Sequence, residues 1–187
     1  KRLFLKMFGI RRVFVLAALC LGAGSAPAQP VAGLQPYQQP HQQELRSIYK
    51  ELVEINTTDS AGSCTEAAQA MAARLRAGGL PDADIRVLAP PGAPKKGNLV
   101  ARFRAADAGG PGMKKPVLLL AHIDVVEARR EDWQRDPFRL VEENGYFHAR
   151  GSSDNKAMAA VFVANLIRYR AEGLTLILRG DELTMAG

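Results

Sequence analysis

The sequence predicts an α/β fold, a mixed sheet with flanking helices. Stretches with helical periodicity alternate with strand-like stretches along the chain, instead of falling into separate blocks. Residues 117–121 read Val-Leu-Leu-Leu-Ala, the continuous apolar run expected of a strand buried on both faces. Asn144-Gly145 separates two short apolar runs, residues 138–141 and 146–149, and is a two-residue hairpin signal. At 187 residues the chain can bury one real core.

The first stretch reads as an export signal. Lys1, Arg2, Lys6, Arg11 and Arg12 precede an apolar run from Val13 to Leu21, followed by Ala26-Pro27-Ala28. That order fits a secretory signal peptide over residues 1–28, cut after Ala28, with Met7 as a start site. The apolar run is short for a membrane span, so no stable anchor is expected after cleavage. The protein is expected to be secreted or periplasmic. These five basic residues carry most of the formal charge of +6, and the remainder stands at +1. A nearly neutral body offers no footprint for nucleic acid. Of the two cysteines only Cys64 lies beyond the signal, so no internal disulfide is expected and Cys64 reads as a small packed residue.

Residues 29–43, rich in Pro and Gln, read as an exposed linker, which leaves residues 44–187 as the folded part. Leu45, Ile48, Tyr49, Leu52, Val53 and Ile55 then share one face of a helix that Asn56-Thr57-Thr58-Asp59 breaks. Ser63 and Glu66 have capping-box spacing for a second helix, which runs to Ala77 and closes at Gly78-Gly79. Residues 85–88 and 98–103 are candidate strands, and residues 105–115 a Gly/Pro-rich loop. Residues 158–169 read as a mostly buried helix, and residues 174–178 as a further buried strand.

Three clusters at the ends of these elements carry chemistry. His122 and Asp124 follow the apolar strand, and in extended chain residues two apart point the same way. An imidazole with a neighbouring carboxylate suits a metal ligand and its orienting partner, although ordinary hydrogen bonding at a strand end explains the pair equally. Asp154 lies at the start of a helix behind Gly151-Ser152-Ser153, where it reads as an N-cap or as a carboxylate bridging two cations. Nearby Arg150 and Lys156 read as neutralising charges or as solvated side chains. Asp181-Glu182 follows the last expected strand, at the end where α/β proteins place function, and Glu182 suits a proton acceptor from a metal-bound water. A polar turn is the plain alternative. His41 and His148 read as linker and hairpin surface. There is no Gly-x-Ser-x-Gly elbow, phosphate loop or dinucleotide fingerprint.

Taken with Glu51-Leu52-Val53-Glu54-Ile55-Asn56-Thr57, Gly97-Asn98-Leu99-Val100-Ala101 and Asp136-Pro137-Phe138, these clusters resemble a known family from about Leu45 onward. It is the group of zinc-dependent aminoacylases, acetylornithine deacetylases, succinyl-diaminopimelate desuccinylases and glutamate carboxypeptidases. The resemblance implies the N-terminal part of a zinc-exopeptidase-like catalytic domain that hydrolyses a peptide or an N-acyl amino acid. It implies two zinc ions, with cobalt or manganese as other fits to His and carboxylate ligands. His122 would ligate one zinc, Asp124 would orient His122, Asp154 would bridge both ions, and Glu182 would be the general base.

The pattern departs from the family at Leu183, where a second Glu would ligate the other zinc. Slipping the register by one would instead make Asp181 the base and Glu182 the ligand. A further acidic ligand, a distal His and the lid or dimerisation domain would lie beyond Gly187. A truncated catalytic domain is therefore expected, binding zinc weakly. The alternatives are an inactive remnant of such an enzyme and an exported α/β binding domain without enzymatic activity. The last predicts that His122, Asp154 and Glu182 lie far apart.

Overall fold

A computed structural model describes residues 37–104, 117–173 and 181–186, the last stretch by its backbone alone. The first helix, α1, spans Pro40–Glu54. It starts inside the segment expected to be linker. Proline's fixed φ suits a first helical turn, and the Gln39 N–H donates to Gln42 Oε1 at 3.2 Å. Residues 40–43, His41 included, are thus helical. The apolar face buries Ile48, Tyr49, Leu52 and Val53, as the periodicity predicts.

Helix α2 spans Cys64–Ala77, and Ser63 Oγ accepts the Glu66 N–H at its start at 3.1 Å. It buries Cys64, Ala67, Ala68, Met71, Ala72 and Leu75. Burial raises the pKa of the Cys64 thiol, which suits a packed rather than a reactive role. Arg74 ties α2 to α1 through Glu51 at 2.6 Å. Helix α3 spans Lys156–Ala171 and crosses close to the end of α2. A Cβ at Gly78 would sit 2.7 Å from Ile167 Cγ1, so only glycine lets the two helices meet there.

Strands β1 (Ile85–Leu88), β2 (Asn98–Phe103), β3 (Val117–His122) and β6 (Asp181–Ala186) form one sheet in the order β1-β2-β6-β3. β1 pairs antiparallel with β2, β2 antiparallel with β6, and β3 parallel with β6, so the sheet is mixed, as expected. α2 packs on β1 and β2, and α3 on β3. The second sheet is the hairpin β4 (Val141–Glu143) and β5 (Tyr146–His148), so its first strand begins at Val141 instead of spanning the expected residues 138–141. Its turn residues Asn144 and Gly145 both have positive φ, the conformation that made the dipeptide a turn signal.

Further expectations along the sheet differ from the structure. β3 is buried on one face only, with Leu118 and Leu120 59% and 60% exposed. It is the edge of the described sheet, and no described element covers that face. The strand expected over residues 174–178 and the loop over 105–115 lie outside the described residues. Asp181 and Glu182, expected to follow a strand, instead open β6, which spans residues 181–186 between β2 and β3. Among the described residues no helix is long and apolar enough to cross a membrane.

Candidate metal centre

His122 is the last residue of β3. Beyond it the chain stays extended enough to keep alternation: Ile123 and Val125 are buried, while Asp124 between them is exposed. The pleat therefore delivers His122 and Asp124 to the same side. His122 Nδ1 lies 3.1 Å from Asp124 Oδ1 and 3.3 Å from the Asp124 carbonyl oxygen. Its other nitrogen, Nε2, lies 3.1 Å from Asp154 Oδ1. Residues 32 positions apart in the chain thus meet at one ring.

Asp154 does not cap α3. The cap position is Asn155, reached through a cis peptide bond, and it makes no side-chain cap bond. The Asp154 side chain is 86% exposed, and among the described residues its partner is His122. The local segment explains why the chain can approach so closely. Gly151 has φ +75°, and a Cβ there would sit 2.6 Å from Val125 Cγ1. The glycine brings the Asp154 arm onto the Asp124 arm. Together they line a recess of about 220 Å³ with Val126, Arg150, Ser152 and Ser153. A larger groove of about 630 Å³ lies between the ends of the helices, floored by Ala77, Ala164 and Ile167, away from these groups.

The charge pattern suits a cation. Burial lowers the His122 pKa, but the hydrogen bond to Asp154 and the negative charge of Asp124 outweigh it, so the ring is held above its ordinary value. A neutral ring donating from Nδ1 to Asp124 aims the Nε2 lone pair at a carboxylate oxygen. That contact is repulsive unless a proton or a metal lies between them. Two ligands on one tetrahedral zinc, each about 2.0–2.1 Å from it, sit roughly 3.3 Å apart. The observed 3.1 Å is close to that bite. The donor set therefore fits zinc in chemistry and spacing, as one imidazole and one carboxylate. Among the described residues no group of three or more His, Cys, Asp or Glu gathers to complete it.

Glu182 is not brought to this group. In β6 it stands level with Leu118, while His122 stands level with Ala186. Four residues of strand separate the two levels, roughly 13 Å at the usual rise. Asp181 lies one step further away, so the slipped register does not help. Both residues lie within a paired strand rather than beyond its end, which sets their backbone at a different level from His122.

Neighbouring side chains take roles that the sequence left open or did not suggest. Lys156 is neither solvated nor a neutralising partner of Asp154. It is fully buried and donates to the Ile55 carbonyl at 2.7 Å. Burial pushes its pKa down to about 8. The Arg150 guanidinium stacks 5.0 Å over Trp133 and donates to the Glu127 carbonyl at 3.3 Å. Glu127 in turn accepts from Ser60 N and Oγ at 3.0 and 2.8 Å. Thr57 is buried and bonds to the segment around Asp124. Nothing in the spacing of these residues signalled such contacts, because each spans the chain between distant loops.

Comparison with known proteins places this geometry in context. The model of "Peptidase family M20/M25/M40" matches residues 118–187. The chain is 32% identical over 168 residues to N-formyl-4-amino-5-aminomethyl-2-methylpyrimidine deformylase of Bacillus subtilis, covering 85% of this chain and 38% of that protein. It is 35% identical over 79 residues to succinyl-diaminopimelate desuccinylase of Halorhodospira halophila, covering 38% of this chain and 21% of that protein. Human carnosine dipeptidase 1 superposes with a TM-score of 0.56 at 25% identity, over 78% of this chain and 32% of that one. The chain thus spans well under half the length of each of these relatives.

Proposed function

We propose that the chain, which matches the model of peptidase family M20/M25/M40 over residues 118–187, contributes part of a divalent-metal centre that hydrolyses amide bonds. The observation that carries this reading is the meeting of His122 Nε2 and Asp154 Oδ1 at 3.1 Å, with Asp124 behind the ring at 3.1 Å. The similar proteins named above are a deformylase, a desuccinylase and a dipeptidase. What the three names share is an amide bond to an amine, and a peptide or an N-acyl amino acid is the substrate class we propose from the desuccinylase and the dipeptidase.

His122 would offer Nε2 to a zinc ion, and Asp154 one carboxylate oxygen, with its second oxygen left for a second ion. Asp124 would accept the Nδ1–H, fixing the tautomer that keeps Nε2 unprotonated and raising its basicity. Bound zinc would supply Lewis acidity toward the scissile carbonyl and toward water. Cobalt and manganese suit the same donors. The base is assigned to Glu182 by family pattern alone, and the strand register lends that assignment no support.

Zinc titration of the chain by calorimetry tests the reading. Uptake by the wild type that disappears in His122→Ala and Asp154→Ala is expected; uptake unchanged in both variants overturns it. Hydrolysis of a small panel of dipeptides and N-acyl amino acids with added zinc then tests the base. Loss of about 10²–10⁴-fold in Glu182→Gln marks proton transfer, whereas an unchanged rate marks a residue outside the site.

Leu183 favours a second reading. It offers no donor atom where the family pattern has a carboxylate ligand, which suits a chain that keeps the fold and binds metal weakly. Restoring Glu at that position and repeating the titration separates the two readings. Export is proposed on the sequence of residues 1–28 alone. Mass spectrometry of the secreted or periplasmic product, showing Gln29 as the first residue, is its check.

A further inference from the structure

We infer that the loop of residues 55–60 is a positioning device for this site, with Thr57 holding the His122–Asp124 arm and the Ile55 carbonyl holding the Asp154 arm. The inference rests on the reading of His122 and Asp154 as metal ligands. β3 ends at His122, so Asp124 lies beyond the sheet's hydrogen-bond ladder. Thr57 replaces that ladder. Its hydroxyl donates to the Ile123 carbonyl at 2.6 Å, and its own carbonyl accepts the Val125 N–H at 3.2 Å. One residue thus grips the backbone on both sides of Asp124. It is 1% exposed, so water does not compete for these bonds.

The other arm is fastened to the same loop. Lys156 follows Asp154 by two residues, and its Nζ donates to the Ile55 carbonyl, two residues before Thr57. The loop itself is braced. Asn56 Oδ1 accepts from Thr58 N and Oγ1, both at 2.9 Å, and the Asn56 carbonyl accepts the Ser63 N–H at 2.9 Å. A Cβ at Gly62 would sit 2.4 Å from Thr58 N, so the turn closes only around glycine. Ser60 adds a third tie, to Glu127. Metal sites tolerate ligand displacements of only about 0.2 Å. A loop that binds both arms therefore sets how well His122 and Asp154 share an ion, although it touches neither.

The test uses the full chain with Thr57→Val, Thr57→Ser, Lys156→Met and the Thr57→Val/Lys156→Met double variant. Zinc affinity is measured by calorimetry, and the ring nitrogens of His122 by ¹⁵N NMR, at a temperature where circular dichroism shows every variant folded. Thr57→Val should weaken zinc binding about tenfold, the low end for supports behind a ligand. Thr57→Ser, which keeps the hydroxyl, should recover most of that loss. Lys156→Met keeps an apolar stem in the core and should also weaken binding. Because both act through one loop, the double variant should lose less than the product of the single losses. Wild-type affinity in both single variants overturns the inference, and multiplicative losses overturn the shared loop. A wild type that takes up no zinc refutes the metal reading. In that case the His122 ¹⁵N shifts decide the positioning: Thr57→Val should move them and Thr57→Ser should not, and identical shifts in all three proteins overturn it.

Discussion

His122 has a carboxylate at each ring nitrogen, and the two differ in what holds them. Asp124 is next door along the chain and Asp154 arrives from another element, so the first pairing is local and the second is tertiary. Asp124→Asn keeps an oxygen for Nδ1–H but removes the charge. It should weaken zinc binding by about 10–100-fold without changing the fold, as read by calorimetry alongside thermal denaturation. Glu54 makes a pH prediction. Burial opposes its ionisation, but hydrogen bonds from Lys50 and the Leu140 N–H prevail, so its pKa lies below the ordinary value. A lowered folded-state pKa contributes stability above the unfolded value, and that contribution is lost as pH falls through the folded value. The stability gap between wild type and Glu54→Gln should therefore be widest near neutrality and close below about pH 4. Denaturant midpoints across that range check it, and a gap that widens on acidification would contradict it.

At the scale of elements, local pattern predicted much. The apolar face of α1, the Ser63 start of α2 and the Asn144-Gly145 turn follow from spacing and φ preference within a few residues. Ser63→Ala should cost about 1 kcal/mol, because the Glu66 N–H loses its acceptor. Gly151 belongs to a different class, because its requirement comes from Val125 across the site. Gly151→Ala adds a Cβ where there is no room, at a positive φ, and should destabilise by about 1–3 kcal/mol. Urea unfolding with an unchanged slope and a lower midpoint is the expected result for both. The early start of α1 was not legible because a Pro/Gln-rich stretch reads as linker until Pro40 is seen at a first turn. Lys156 was not legible because a lysine two residues from an aspartate reads as an exposed partner until the Ile55 carbonyl appears beneath it.

For the whole described body, the mixed sheet with flanking helices matches what alternation implied. The sheet edge is where composition misled. Residues 117–121 are apolar throughout, yet Leu118 and Leu120 face outward from β3. A strand at the edge of the described sheet with two exposed leucines is a pairing hazard. Leu118→Lys with Leu120→Lys should raise the concentration at which the chain stays monodisperse in light scattering, at little cost in melting temperature.

By itself the sequence determined the helices, the hairpin turn, most strands and the shared side of His122 and Asp124, because each depends on neighbours a few residues away. Family resemblance added the expectation that Asp154 joins them. The tertiary structure alone decided that Asp154 meets Nε2, that Thr57 and Lys156 hold the two arms to one loop, and that Glu182 stands level with Leu118. Those facts depend on strand register and on contacts between segments far apart in the chain, and residue spacing carries no information about either.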